Sequence, residues 1–213
     1  MARGLGSLAV KTREMTSPQR ILERAIEVLE EQGEAGIRTH QIAEDCGVTA
    51  PILYRAFGDR EGLIVAANAE RYRRNRDHLG ESFREAVRAC TTREEFRGIV
   101  ERVLEFMISP DRAPARRFRA AVLGGAVTRP DLAAEVTRAD ARVVAAYAES
   151  LEYAREQGWV DYRGDFTVLL YWWIGAIDGR VHLEIVKMDL DVSQWDELLV
   201  ASIMGALFGD PGR

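Results

Sequence analysis

The chemically useful side chains of this sequence are concentrated in residues 39–57, where apolar and hydrogen-bonding residues recur at helical spacing. The apolar side chains near the end of this stretch predict an inward helix face: Ile52, Leu53 and Phe57. The opposite face then carries small or hydrogen-bonding side chains: Thr49, Ala50, Tyr54 and Arg55. Hydroxyl and guanidinium groups bond phosphate oxygens and base edges, and small apolar groups fit the thymine methyl. The pattern predicts a nucleic-acid-binding surface, although a helix hairpin inside an ordinary core is the alternative.

Two short helices joined by a tight turn must position this surface. Thr39 is the predicted N-cap of the first helix, about His40–Cys46, because its hydroxyl can accept from a free backbone N–H. Gly47 is the predicted turn residue, since a chain reversal there favours positive φ. Thr49 is the predicted cap of the second helix, about Ala50–Phe57. Two helices around a glycine turn are typical of a helix-turn-helix motif.

The composition limits the class of protein. The 213 residues are 47% hydrophobic and 30% charged, as in water-soluble globular proteins, and no apolar run is long enough to span a bilayer. The N-terminus shows no apolar signal-peptide core, and Cys46 and Cys90 are too few for a disulfide framework or a structural zinc site. We expect a cytoplasmic protein with no metal, no cofactor and no membrane partner.

The net charge of −5 does not by itself suggest a nucleic-acid binder. Even the first 60 residues hold 8 basic against 9 acidic side chains. The distribution of charge matters more than its sum, because acidic residues can face away from DNA while basic ones face it. Charge therefore neither supports nor excludes the predicted surface.

The remaining segments predict an all-α fold of about nine helices. Residues 1–16 lack periodicity and read as a flexible basic arm. A first helix is predicted over about Pro18–Gln32 with Ser17 as N-cap, and a fourth begins after Asp59 and runs toward His78. Five more helices are predicted at about Arg93–Ile108, Ala115–Leu123, Asp131–Gln157, Phe166–Met188 and Ser193–Phe208.

An enzyme is the rival interpretation from another functional class. The sequence contains no nucleophile elbow, P-loop or dinucleotide fingerprint. Its three histidines are scattered without a pair at metal-ligand spacing: His40, His78 and His182. We therefore expect a protein that is not an enzyme.

Residues 17–63 resemble the DNA-binding domain of TetR-type (tetracycline-repressor-like) bacterial transcriptional regulators in order, spacing and residue type. The matching residues of the first helix and its end are Ile21, Leu22, Ala25, Leu29 and Gly33. Those that follow are Thr39, Ile42, Ala43, Gly47, Val48, Thr49, Leu53, Tyr54, Phe57, Asp59, Arg60, Glu61 and Leu63. Two positions depart from the common pattern, because Ala56 stands where a His often precedes the Phe and Arg60 where a Lys is usual.

The resemblance implies a domain order and a set of DNA contacts. The helix-turn-helix domain would cover residues 17–63, helix 4 would link it to about residue 80, and a C-terminal regulatory and dimerisation domain would occupy 81–213. The implied contacts with double-stranded DNA are made by Thr39, Gln41, Thr49, Ala50, Pro51, Tyr54, Arg55 and Arg60. Gln41 and Arg55 would be the base readers, while Tyr54 and Arg60 would bind phosphate.

The resemblance also implies a homodimer on a palindromic operator, paired through helices 8 and 9. The predicted interface residues of helix 9 are Trp195, Leu198, Leu199, Ser202, Ile203 and Ala206. These residues form an apolar stripe with small members for close approach, but part of such a stripe fills the subunit's own core. Four polar or charged residues stand out in the otherwise apolar helix 8 and are interpreted as an interface or capping network: Asp178, Arg180, His182 and Glu184.

Family members of this type usually hold a small-molecule pocket between helices 5 to 8, which controls DNA binding. The candidate pocket residues are Phe96, Val100, Leu104, Met107, Phe118, Val122, Tyr147, Leu151, Trp172, Trp173, Ile177 and Asp178. Their aromatic and aliphatic character favours a small, mostly apolar effector. A repressor released by such an effector is the expected function. The alternative is a regulator of the same fold that responds to a protein partner or DNA structure.

Overall fold

The computed structural model describes the backbone of residues 15–186 and 191–209, with the side chains of all of these except 77–79. The described residues form helices and turns without a β-strand, so the predicted all-α fold is confirmed. The helices are α1 (Ser17–Gln32), α2 (Thr39–Asp45), α3 (Ala50–Phe57), α4 (Arg60–Ala89), α5 (Arg93–Ile108), α6 (Ala113–Ala126), α7 (Pro130–Glu156), α8 (Phe166–Gly179), α9 (Val181–Ile185) and α10 (Val192–Phe208). Among the described helices, none is both long enough and apolar enough to cross a membrane.

Helices α1, α2, α7 and α10 each begin one residue before the predicted start, and α6 begins two residues before it. Helix α1 begins at Ser17 and its N-cap is Thr16, whose backbone N–H donates to Oε1 of Gln19 at 2.8 Å. This reciprocal arrangement between the cap and the third helical residue is a capping box. Helix α2 begins at Thr39 with Arg38 as its N-cap, so the prediction that Thr39 caps this helix is wrong.

Helices α4 and α6 extend beyond their predicted C-terminal ends. Helix α4 continues to Ala89 because Phe83 and Val87 extend its buried stripe. Helix α6 continues beyond the predicted end at Leu123, through Gly124 and Gly125 to Ala126. A helical glycine costs about 1 kcal/mol relative to alanine. Helix α6 packs against α7 here, and a Cβ at Gly125 would lie 3.2 Å from Nη1 of Arg129 and 3.7 Å from Leu132.

The predicted eighth helix is two helices. Helix α8 ends at Gly179 and α9 begins at Val181, with Arg180 between them. The Arg180 guanidinium donates to both carboxylate oxygens of Asp196, at 2.7 and 2.9 Å. The helix is therefore interrupted where an arginine ties it to α10. The last three residues of the predicted eighth helix, from 186 onward, include positions outside the described residues.

The chain divides into two compact units, Met1–Ala67 and Asn68–Arg213, and the division falls within α4. The buried apolar core of the first unit is Ile21, Ala25, Ile26, Val28, Leu29, Ile37, Ile42, Ala43, Leu53, Leu63, Ile64 and Ala67. In the second unit the core is built from α4, α5, α7, α8 and α10 and includes buried Phe96, Phe166 and Ile203. Each unit thus has its own hydrophobic core, as an independent folding unit requires.

Candidate nucleic-acid interface and internal cavity

The outward face of α3 has the polarity that the sequence predicts. Leu53 is fully buried and Ile52 and Phe57 are half-buried against the core of the first unit. The exposed residues of the helix and its cap are Thr49, Pro51, Tyr54, Arg55 and Ala56, and Ala50 is half-buried. The burial of one apolar side fixes the rotation of α3, so this set of side chains faces solvent together.

The turn before α3 has the geometry that its glycine predicts. Gly47 has φ +64°, a left-handed conformation that residues with a Cβ rarely adopt. The Gly47 N–H donates to the Glu44 carbonyl at 2.9 Å, and the Val48 N–H donates to the Ala43 carbonyl at 2.9 Å. These bonds end α2 and carry the chain into the extended Thr49, whose side chain makes no capping hydrogen bond with a described residue.

Thr39 and Tyr54 form a hydroxyl pair that joins α2 to α3. Oγ1 of Thr39 lies 3.0 Å from the Tyr54 hydroxyl, and either oxygen can be the donor. Thr39 is buried and Tyr54 is 39% exposed. Two hydroxyls share one hydrogen bond and keep the second proton for another acceptor. The pair therefore positions a phenol donor at the surface, where a phosphate oxygen could accept from it.

Gln41 belongs to a surface cluster on α1 and α2. Its Nε2 donates to Oδ1 of Asp45 at 2.9 Å, and Nε of Arg24 donates to Oδ2 of the same carboxylate at 2.8 Å. The hydrogen bond from Gln41, followed by that from Arg24, lowers the pKa of Asp45. Gln41 remains exposed and keeps its carbonyl oxygen for another donor, so its predicted base-reading role stays a prediction.

Arg60 supports the loop between α1 and α2. Its Nε donates to the carbonyl of Ile37 at 2.9 Å, and its Nη2 donates to the carbonyl of Glu34. Its neighbour Asp59 caps α4, because Oδ1 accepts from the Gly62 N–H at 2.8 Å. The guanidinium that the sequence assigned to phosphate thus already bonds two carbonyls within its own unit. Its phosphate contact remains a prediction that must compete with this structural role.

Arg38 is an exposed cation that the sequence reasoning did not single out. It lies directly before α2, next to the buried Thr39. The signal that could have found it is its position directly before the predicted N-cap Thr39, because basic side chains near a helix start can reach phosphate. It joins Arg55 as a second exposed arginine close in sequence to the motif.

The second unit contains an apolar cavity of about 80 Å³ between α4, α5, α7 and α8. Seven of the predicted pocket residues line it: Val100, Leu104, Met107, Tyr147, Leu151, Trp173 and Ile177. The sequence reasoning missed the other seven lining residues: Arg76, Phe83, Val103, Val143, Val144, Leu170 and Ile174. Arg76 and Phe83 lie on α4, which the sequence predicted to link the two domains and not to line a pocket.

The other five predicted pocket residues lie elsewhere in the second unit. Phe96 packs in the core, with ring centroids 6.0 Å from Trp159 and 5.8 Å from Phe208. The Phe118 ring lies under the Arg71 guanidinium at 4.3 Å, and Val122 is buried on α6. The last two residues are the exposed Trp172 and the ion-paired Asp178.

A buried ion pair borders the cavity at Arg76, the charged member of its lining. Nε of Arg76 donates to Oδ1 of Asp140 at 2.8 Å, and its Nη2 donates to the same oxygen. The Tyr72 hydroxyl donates to this carboxylate at 3.0 Å. Burial raises the pKa of the Tyr72 phenol well above its ordinary value, so Tyr72 stays protonated and acts as the donor.

Three more arginines pair inside the second unit. Arg116 donates through Nε to Oε1 of Glu184 at 2.8 Å and through Nη1 to the Met107 carbonyl at 2.7 Å. Arg119 donates through Nε to Oδ1 of Asp178 at 2.8 Å. Together with the Arg180–Asp196 pair, these contacts give Asp178, Arg180 and Glu184 ion-pair partners within the chain, so the interpretation of these residues as an interface or capping network stays a prediction.

The apolar stripe of α10 is divided between two faces. Leu199 and Ile203 are buried in the core of their own chain. The prediction that these two residues lie at the dimer interface is therefore wrong. The exposed members are Trp195, Leu198 and Ser202, and Ala206 is half-buried. Helix α8 adds its own exposed apolar side chains: Val168, Tyr171 and Trp172. A Cβ on Gly179 of α8 would lie 4.0 Å from Trp195, so the exposed faces of the two helices adjoin.

Comparisons with known proteins agree with this architecture. The family profile described as "Bacterial regulatory proteins, tetR family" matches residues 21–67. The comparison with curated proteins finds no match.

Solved structures share the fold over most of the chain. A protein described as a TetR-family transcriptional regulator from Mesorhizobium loti is 14% identical, with a TM-score of 0.66 over 92% of this chain and 100% of that one. A transcriptional regulator from Saccharomonospora viridis in complex with choline is 18% identical, with a TM-score of 0.61 over 90% and 97%. The regulator FadR from Bacillus subtilis in complex with stearoyl-CoA is 15% identical, with a TM-score of 0.55 over 88% and 97%. At these identities the likeness concerns the fold.

Proposed function

Because this chain belongs through its residues 21–67 to the tetR family of bacterial regulatory proteins, we propose that it is a sequence-specific repressor. Proteins of this family are DNA-binding regulators rather than enzymes. The repressor would bind a palindromic operator as a homodimer in the cytoplasm and leave it when a small, mostly apolar effector binds. The observation that carries the proposal is the outward face of α3, whose exposed hydrogen-bonding side chains are fixed by the burial of Leu53.

The proposed DNA contacts divide into base reading and phosphate positioning. Arg55 is exposed, and a guanidinium can donate two hydrogen bonds to O6 and N7 of guanine. Ala50 and the Thr49 methyl suit a thymine methyl, and Pro51 would approach the bases beside them. Tyr54, held by Thr39, would donate to a phosphate oxygen. With Gln41 and Arg55 as the two base readers, we propose modest base readout and substantial phosphate positioning.

The proposed homodimer uses the exposed apolar face of α8 and α10. Tyr171 is 44% exposed, Trp172 52% and Leu198 67%. Large apolar side chains grouped on adjoining helices mark an interaction surface more often than isolated ones do. A second copy related by two-fold symmetry would cover this face and present two copies of α3 to two half-sites.

The proposed effector site is the cavity of the second unit. Two proteins that share the fold bind small molecules, choline in one case and stearoyl-CoA in the other. The cavity of this chain is about 80 Å³, which is small beside the 300–1,000 Å³ that is typical of drug-sized ligand sites. Helix α4 contributes Arg76 and Phe83 to the lining and begins in the first unit, so a ligand that shifts α4 could favour one separation of the two DNA-reading units.

The experiment that tests the function is selection of random-sequence duplexes by the purified protein. We expect enrichment of a site with two-fold symmetry and half-sites about one helical turn apart. The control is a protein in which Tyr54→Phe and Arg55→Ala are combined, because both side chains are exposed and leave the core of the first unit intact. Enrichment of no duplex by the wild type, or equal enrichment by the control, would refute the proposal.

A further inference from the structure

The described residues of the first unit include five arginines and no lysine. Three of the arginines donate hydrogen bonds to other groups of the unit: Arg20, Arg24 and Arg60. The other two, Arg38 and Arg55, are exposed and have no hydrogen bond or ion pair with a described residue. Phosphate oxygens accept from guanidinium N–H groups, so an exposed guanidinium without a protein partner binds phosphate without breaking an existing bond.

Arg60 is bonded to the loop before α2. Its Nε donates to the Ile37 carbonyl at 2.9 Å, and its Nη2 donates to the Glu34 carbonyl. The edge of the guanidinium formed by these two nitrogens is therefore occupied. A phosphate that took this edge would leave two carbonyls of the loop without their donor. Binding of DNA by this edge of Arg60 has a cost that binding by Arg38 does not have.

The backbone of Arg38 is held on both sides. Ile37, which precedes it, is buried, and its carbonyl accepts from Arg60. Thr39, which follows it, is buried, and its hydroxyl lies 3.0 Å from the Tyr54 hydroxyl. The loop and the hydroxyl pair therefore fix the point where the exposed side chain of Arg38 leaves the surface, one residue from the contact between α2 and α3.

We propose that Arg38 is the phosphate-binding cation of this part of the first unit, beside the Tyr54 phenol, and that Arg60 supports the loop without binding phosphate. The inference rests on the proposed function and assigns a DNA contact to a residue outside the predicted contact set. It also moves the charged phosphate contact from position 60, where the sequence predicted it, to position 38. The guanidinium of Arg38 loses no protein hydrogen bond when it binds a phosphate, whereas that of Arg60 loses two.

Arg38 and Arg55 have different tasks because different elements carry them. Arg55 lies on α3, and Arg38 directly precedes α2. In a helix-turn-helix the second helix enters the major groove, while the first crosses the DNA backbone. Arg38 therefore meets phosphate, which is the same at every base pair, so its contact adds affinity without base preference.

The test measures the dissociation constant of the duplex that the wild type selects, at several salt concentrations, with the full-length protein. Arg38→Gln removes the charge, Arg38→Lys keeps it, and Arg60→Gln removes the charge of the loop-supporting residue. Arg142→Gln is the matched control, because Arg142 is an exposed arginine of α7 without a described partner and belongs neither to the first unit nor to α8 or α10. Circular dichroism at the measuring temperature establishes that each variant is folded.

We expect Arg38→Gln to weaken the selected duplex at least about tenfold, by the same factor for every single-base variant of it. The slope of the logarithm of the binding constant against the logarithm of salt concentration should become shallower by about two, because each chain of the dimer loses one phosphate contact. Arg38→Lys should keep the wild-type slope. Arg60→Gln and Arg142→Gln should change the slope by less than about 0.5.

An unchanged salt slope in the Arg38→Gln protein would overturn the inference, and so would a slope that becomes equally shallow in the Arg142→Gln control. A shallower slope in the Arg60→Gln protein would return the contact to Arg60. A loss confined to one base pair would make Arg38 a base reader, contrary to the inference. If the wild type binds its selected duplex and these results fail, the inference fails alone. If the wild type selects no duplex, the proposed function fails with it.

Discussion

The first unit, which ends at Ala67, and the second, which begins at Asn68, fill their interiors differently. The described buried side chains of the first unit are apolar apart from Thr39, whose hydroxyl is bonded to Tyr54. The second unit buries four arginines in its described interior: Arg76, Arg116, Arg119 and Arg180. The charged side chains of the first unit therefore lie at the surface, where they can contact DNA. In the second unit, buried ion pairs connect the helices.

This difference explains which features could be predicted from the sequence. The rotation of α3 follows from Ile52, Leu53 and Phe57, whose spacing is local, and the turn follows from the need for positive φ at Gly47. These features depend on neighbours within one or two helical turns. Local spacing therefore predicts which side of α3 faces solvent, but not every residue, because Ala50 is half-buried and Ala56, which the pattern did not place outward, is exposed.

The polar interior of the second unit could not be predicted in this way. The partners in its buried ion pairs are 59 to 68 residues apart in the sequence. The pairs are Arg76–Asp140 (64 residues), Arg119–Asp178 (59) and Arg116–Glu184 (68). Helical periodicity places a side chain on a face but does not say which distant carboxylate it meets. For the same reason the sequence predicts only half of the cavity lining, and it does not predict that Arg180 interrupts α8.

The largest expected effect comes from removing a buried arginine. Arg116→Ala leaves Glu184 without one of its partners and frees the carbonyls of Met107 and Ser109, so we expect a loss of about 3–5 kcal/mol in the free energy of unfolding. The matched change in the first unit, Arg24→Ala, removes an exposed pair with Asp45 and should leave the unfolding midpoint nearly unchanged. Chemical denaturation measures both. Equal losses in the free energy of unfolding for the two variants would contradict the proposed difference between the units.

The second prediction concerns the exposed apolar face of the second unit. Leu198→Arg places a charge at this face in both copies, and we expect the dimer to weaken by at least about 3 kcal/mol. Val127→Arg is the control, because Val127 is 84% exposed on the turn after α6 and belongs to neither α8 nor α10. Sedimentation velocity distinguishes monomer from dimer. A Leu198→Arg protein that sediments as a dimer, or a Val127→Arg protein that dissociates, would contradict the assigned face.

The third prediction separates base reading from phosphate positioning within the first unit. Arg55→Ala should reduce discrimination at one base pair of each half-site by about 1–3 kcal/mol. Tyr54→Phe should weaken all duplexes alike by about 1 kcal/mol, without changing the salt dependence, because a phenol hydroxyl carries no charge. Both proteins are compared on a panel of single-base variants of the selected site. An unchanged preference after Arg55→Ala would remove Arg55 from the base readers.

The smallest expected effect concerns Arg60, for which two roles compete. Arg60→Lys keeps the charge but cannot donate to the Ile37 and Glu34 carbonyls together. If the structural role dominates, stability falls by about 1 kcal/mol while the salt dependence of DNA binding is retained. Arg60→Gln, which also removes the charge, measures any phosphate contact as a shallower salt slope. A lysine protein of full stability would show that the carbonyl bonds contribute little.

The most direct test of the central claim is the stoichiometry and spacing of the bound duplex. We expect two chains on each selected site, measured by sedimentation of the complex. We also expect that five base pairs inserted between the half-sites abolish tight binding, because they rotate one half-site by about half a turn relative to the other. One chain on each duplex, or undiminished affinity after the insertion, would contradict a dimer that reads two half-sites through α3.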